Sequence, residues 1–110
     1  MRIELLYFEG CPSHKRLQPR LERLLREAGV AVPVELRRVD SPEAAEAEHF
    51  LGSPTLRVND EDVEPGAGER SDYGLKCRLY RPDEGVSGLP PDEWIKTALE
   101  RAKRQVVAHE

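Results

Sequence analysis

At Cys11-Pro12 the chain changes its hydrophobic period, and that change limits the folds open to it. Before the junction, Ile3, Leu5, Leu6, Tyr7 and Phe8 form a nearly continuous apolar run, the pattern of a strand buried on both faces and therefore central in its sheet. After it, from Ser13 onward, Leu17, Leu21, Leu24, Leu25 and Ala28 recur at helical spacing, and Gly29 supplies a left-handed stop. Pro19 falls inside this helix, where it removes one backbone hydrogen bond and bends the axis.

Val34, Leu36 and Val39, interleaved with Glu35, Arg37 and Arg38, predict a second strand, with Val32 and Pro33 leading in. Ser41 is suited to cap a short second helix, Pro42 to its first turn and Gly52 to its end, with Ala44, Ala47, Phe50 and Leu51 along one face. Strand, helix and strand joined by so long a connection imply a right-handed parallel crossover. In "SPTLRVNDEDVEPG" Leu56 and Val58 alternate, Asn59 and Asp60 break the run, and Asp62 and Val63 resume it, which predicts an antiparallel hairpin. Pro90 and Pro91 then precede Trp94, Ile95, Ala98, Leu99 and Ala102, a closing amphipathic helix with Asp92 and Glu93 at its positive end.

With 110 residues the chain has material for one core, so we expect a single domain over 1–103 and a frayed tail over 104–110. Charged residues make up 35%, hydrophobic ones 38%, and the apolar patches 5–8 and 30–34 are far too short to span a bilayer. No signal-peptide pattern opens the sequence, so the expectation is a cytoplasmic protein without a membrane partner, in which a disulfide scaffold is not anticipated. The net charge of −4 speaks against a nucleic-acid partner, and Arg37-Arg38 and the group Lys15, Arg16, Arg20 are read as solvated faces. Cys11 and Cys77 alone cannot make a zinc or iron–sulfur site, so we expect no metal or cofactor. Either both are small apolar fillers, or one or both react.

A βαβ unit, a β-hairpin and a terminal helix, with Cys-Pro between the first strand and first helix, resemble the thioredoxin-like superfamily. "CPSH" at 11–14 stands where that family has C-x-x-C, Pro12 is similar to the proline of glutaredoxin-type motifs, and Pro19 falls where thioredoxins carry a kinking proline. "SPT" at 53–55 resembles the segment before the third strand, where the family holds a cis proline facing the catalytic thiol. The resemblance spans the chain except for about 66–89. More closely, "LLYFEGCP", "GSPT" and "GLKCRLY" are similar to a group of small thioredoxin-like proteins of ill-defined activity, some bearing names borrowed from organomercurial lyases. The expected fold is therefore α/β and thioredoxin-like, with an inserted loop or hairpin between the last core strand and the last helix. One departure stands out: His14 occupies the place of the resolving cysteine, so the neighbouring disulfide of that family cannot form.

A thiolate at a helix start faces free N–H groups and the positive dipole end, which in reactive cases lowers its pKa from about 8.5 to roughly 3.5–7.5. Cys11 is thus the candidate nucleophile, with the alternative that it only packs against Phe8 and Pro54. His14, one turn on, either supplies positive charge or a proton to the sulfur, or is a surface residue pointing away. Pro12 is accounted for by the first-turn preference of proline. Ser53, Pro54 and Thr55 have two readings: a proline tolerated at a strand start, or, on the resemblance, a cis bond that turns backbone groups toward Cys11 and offers an edge to an incoming peptide or thiol.

The segment after Pro65 starts at the sheet edge where the first strand delivers Cys11, and it is long for a loop. Gly85 or Gly88 can turn it back on itself. Cys77 can therefore reach Cys11 from a distance, or can be a buried strand residue alternating with Leu75 and Leu79. Tyr73 and Tyr80 read as packing groups with wet hydroxyls. Asp72 is a turn former or an acid near the thiol.

Three functions fit. In the first, Cys11 attacks a disulfide or peroxide and Cys77 or an external thiol resolves the adduct, the partner being a protein disulfide or a low-molecular-weight thiol. In the second, the two thiolates bind a soft metal or perform organomercurial lyase-like chemistry, with Glu9 or Asp72 as the proton donor. In the third, the fold persists as a noncatalytic binding domain. No feature sets an oligomeric state.

Overall fold

A computed structural model describes residues 1–81 and 85–108. It is an α/β fold built on one mixed four-stranded sheet in the order β2-β1-β3-β4. Strand β1 (Ile3–Tyr7) is central, as its unbroken apolar run predicts, and pairs in parallel with β2 (Val34–Arg38) from Ile3↔Val34 to Tyr7↔Arg38. On its other side it pairs antiparallel with β3 (Thr55–Val58), and β3 with the short β4 (Glu61–Asp62). Asn59 and Asp60 form the two-residue turn between them with φ of 52° and 69°, the left-handed pair that matches the twist of a hairpin.

Alternation along β1 divides the core. Ile3 and Leu5 face the larger cluster, formed with Leu17, Leu21, Leu24 and Leu25 of helix α1 (Ser13–Glu27) and with Ile95 and Leu99 of helix α3 (Asp92–Ala108). Leu6 faces the other way, into a smaller cluster with Val39, Ala45 and Phe50 under helix α2 (Pro42–Ala47). Because α2 is so short, the rest of that face is closed by charges: Glu4, only 1% exposed, accepts from Arg37 at 2.7 Å and lies 3.3 Å from Arg2. Each further lone pair of the buried carboxylate that finds a cation offsets its desolvation.

Both early helices end on a left-handed residue, but only the first ends on the residue the sequence predicts. Gly29 (φ 71°) ends α1 with Gly29 N–H donating to Arg26 O and Val30 N–H to Leu25 O, which folds Val30 back onto the core. Helix α2 starts as the sequence predicts, with the Ser41 hydroxyl accepting from Ala44 N–H at 3.1 Å. Its end differs. Not Gly52 but His49 (φ 54°) takes the left-handed position, with His49 N–H donating to Glu46 O and Phe50 N–H to Ala45 O. The reason is Phe50: turning there drives its ring into the core, where burial yields about 1.5–3 kcal/mol against about 1–2 kcal/mol for a side chain in the left-handed region.

Helix α3 continues past Lys103 to Ala108, with Lys103 Nζ on Ala28 O and Asn59 Nδ2 donating to Gln105 Oε1 at 3.2 Å; 109–110 lie outside the described residues. No helix among the described residues is long and apolar enough to cross a membrane.

Candidate functional site

The site lies at the carboxyl end of β1. Here the strand hands over to α1, and the antiparallel β3 begins directly alongside, so Cys11 and the Ser53-Pro54-Thr55 segment meet by topology. The Ser53–Pro54 peptide bond is cis. Cys11 is fully buried, with Ser13 Oγ at 3.5 Å and Ser53 O at 3.6 Å from its sulfur. Ser13, which the sequence did not single out, accepts in turn from the Arg16 guanidinium at 3.2 Å, so a cation polarises the hydroxyl that faces the sulfur.

Cys77 is bonded to Cys11 across a sequence separation of 66, with Cα atoms 5.6 Å apart. The long segment after Pro65 returns to the corner and runs parallel to Ser53. Ser53 N–H donates to Lys76 O at 2.8 Å and Arg78 N–H donates to Ser53 O at 2.9 Å, a bridge that sets Ser53 opposite Cys77. Gly52 (φ 122°) makes that approach possible: a Cβ at this position would stand 3.0 Å from both Arg78 Cβ and Lys76 O. Of the two expectations for Cys77, the approach to Cys11 is what the structure contains.

The alternation expected around Cys77 has the opposite parity. Cys77 is exposed and Leu79 is 53% exposed, whereas Arg78 and Tyr80 turn inward; Leu75, before the bridge, is half-buried against the Phe50 cluster. The bridge to Ser53 fixes the register, and a shift of one residue sends every side chain to the other face. Arg78, its side chain wholly buried, donates to Asp62 at 2.7 and 3.0 Å, to Glu64 at 3.3 Å and to Thr55 Oγ1 at 3.0 Å, and its guanidinium lies 4.4 Å from the centre of the Tyr80 ring. The Tyr80 hydroxyl is dry, not wet, and donates to Pro54 O at 2.5 Å; burial pushes its pKa well above the usual tyrosine range. An antiparallel bridge then pairs Tyr80 with Ser87, and Gly85 has φ 82°; 82–84 lie outside the described residues.

The other expected site residues have these places. Pro12 is exposed at the N-cap of α1. Thr55 Oγ1 donates to Gly52 O at 2.7 Å while accepting from Arg78, which ties the start of β3 to the arm. Ser53 is not an open edge for a peptide, since its N–H and C=O are both spent on the chain's own arm; its hydroxyl is buried without a hydrogen-bond partner among the described residues. His14 is buried rather than on the surface, but its Nδ1 lies 3.1 Å from the carbonyl oxygen of Cys11, and its ring stacks on Tyr7 at 4.1 Å. A carbonyl can only accept, so Nδ1 carries a proton and Nε2 is the free nitrogen. The imidazole thus braces the Cys11 backbone.

Both acids suggested by the sequence are paired with cations. Asp72 is held by Arg70 at 2.7 Å and Lys76 at 3.0 Å, which keep its carboxyl well below the usual carboxylate range and hence ionised. Glu9 is exposed beside Arg38 at 3.5 Å. A cavity of about 640 Å³ between the β3–β4 hairpin and α3 includes neither cysteine. Set against protein-family models, curated proteins and solved structures, the chain matches none.

Proposed function

We propose that this chain is a thiol–disulfide exchange protein of thioredoxin-like type whose redox pair is Cys11 and Cys77. The observation that carries the reading is the meeting of two cysteines 66 residues apart, one buried at a helix start and one on an exposed arm. A bond made only to brace the fold has no need of a polarised hydroxyl facing one of its sulfurs. A sulfur that must leave as a thiolate does. The order of strands and helices and the cis Ser53–Pro54 bond beside Cys11 support the family likeness. In this reading the partner of Cys11 is a distant cysteine on the arm, which leaves position 14 free for the histidine that steadies the Cys11 backbone.

The exchange consumes a disulfide and yields two thiols, or the reverse, with a protein disulfide or a low-molecular-weight thiol as co-reactant. In a cytoplasm poised by glutathione the Cys11–Cys77 bond would be transient. The soft-metal reading retains its two sulfurs, but of the acids the sequence offered for protonating a leaving carbon, Asp72 is paired with Arg70 and Lys76 and Glu9 with Arg38. The test is to mix the reduced protein with glutathione disulfide and follow its mass. Wild type is expected to lose two hydrogens and release two glutathione molecules, and Cys77→Ser to stop short of the intramolecular bond. If wild type remains fully reduced, the exchange reading is wrong and the noncatalytic binding domain replaces it.

A further inference from the structure

We infer that the sulfur meeting the partner is Cys77, and that Cys11, the expected nucleophile, is instead the leaving and closing thiolate. The inference rests on the exchange reading above and adds which atom is attacked. A thiolate attacks a disulfide in line, entering opposite the sulfur that departs. Attack on Cys11 Sγ would therefore come from the side away from Cys77, through a site where Cys11 is 0% exposed. Attack on Cys77 Sγ comes from the side away from Cys11, and Cys77 lies on an exposed arm between Lys76 and Leu79, both open to solvent.

Access and leaving-group quality agree. The thiol of lower pKa leaves faster. Cys11 lies two residues before the first residue of α1, whose first N–H groups have no partner within the helix, and Ser13 Oγ stands 3.5 Å from its sulfur with Arg16 behind it at 3.2 Å. Cys77 has none of these: its backbone neighbours are spent on Ser53, and it sits in solvent.

The step balances as follows. The partner thiolate forms a bond to Cys77 Sγ, the Cys77–Cys11 bond breaks, and the electron pair leaves on Cys11 as a thiolate. A second partner thiolate then attacks the partner's sulfur and releases Cys77 as a thiolate, so the pair gains two electrons and the partner becomes a disulfide. In reverse, Cys77 attacks the substrate disulfide and Cys11 closes the ring. The arm that fills the Ser53 edge thus holds Cys77 where a substrate cysteine would otherwise stand.

Sulfite reads the attacked atom in the unmodified protein, because it converts one sulfur to an S-sulfonate and frees the other as a thiol. The oxidised protein is treated with sulfite under native conditions, the freed thiol is captured with iodoacetamide, and both cysteine peptides are mapped by mass. The expected result is sulfonate on Cys77 and carbamidomethyl on Cys11, at least about tenfold over the reverse pattern. The reverse pattern overturns this inference and leaves the exchange reading standing. A bond that resists sulfite in the native protein and yields only in denaturant overturns both.

Discussion

Replacing Arg78 by methionine should loosen the arm and with it the Cys11–Cys77 bond. The guanidinium is buried and makes four hydrogen bonds: two to Asp62, one to Glu64 and one to Thr55. Asp62 and Glu64 are themselves only 15% and 14% exposed at the side chain, so removing the cation leaves Asp62 largely desolvated with no cation among the described residues, while Glu64 keeps Arg70 at 3.0 Å. Breaking one partner out of a buried ion pair costs about 3–5 kcal/mol. In the reduced protein the Arg78 side-chain bonds act with the Ser53 bridge and the Tyr80–Pro54 hydrogen bond to keep Cys77 at Cys11, so their loss lowers the probability of ring closure. If about 3 kcal/mol of it reaches that equilibrium, closure falls roughly 100-fold and the reduction potential rises by about 60 mV. The assay is equilibration in graded glutathione buffers, acid quench, alkylation and mass readout, with the exposed Arg81→Met on the same arm as control. Adding Asp62→Asn should recover part of the stability, since the bare charge is gone, yet leave the potential shifted. An Arg78→Met protein that loses stability but keeps the wild-type potential would refute the claim that this residue delivers Cys77.

Other consequences can be checked on the same material. Gly52→Ala should destabilise by about 2–5 kcal/mol in urea unfolding, from its left-handed φ together with the clash against Lys76 and Arg78, and should slow bond formation after reduction. Ser53→Ala should leave stability unchanged or raise it by up to about 1 kcal/mol, because the buried hydroxyl has no partner to lose. Tyr80 is kept neutral by burial, so its pKa is higher folded than unfolded; above about pH 10 the folded state holds the extra proton and stability falls as pH rises. Tyr80→Phe should remove that alkaline slope in pH-dependent urea melts, while costing about 1–3 kcal/mol at neutral pH for the orphaned Pro54 carbonyl.

The parts of the molecule that follow local rules were legible in the sequence. The run Ile3 to Phe8, the helical spacing of Leu17, Leu21, Leu24 and Leu25, and the cap at Gly29 each state their structure through period and φ alone. The hairpin turn at Asn59-Asp60 is of the same kind. What was not legible depends on partners far along the chain. Cys77 and Leu79 look like the buried face of a strand until the bridge to Ser53 turns them outward, and nothing local to the arm encodes that bridge. A signal was present at a distance: Asp62 and Glu64, two apart beyond the hairpin, put two carboxylates on one side and call for a cation, which Arg78 supplies. Ser13 was passed over for another reason. As a serine at a helix start it reads as a cap, whereas its hydroxyl faces the sulfur of Cys11 and accepts from Arg16. His49 defeats the rule that reserves left-handed helix ends for glycine, because the rule cannot see the pocket waiting for Phe50.

The reduction potential of the Cys11–Cys77 pair bears most directly on all of this. We predict a single reversible two-electron transition, with closed and open forms distinguished by mass after alkylation, at a value among thiol–disulfide exchange proteins, roughly −120 to −270 mV. A bond still fully closed in buffers poised below about −300 mV would mark a structural cross-link, and the account of Cys11 as a thiolate in waiting would be contradicted.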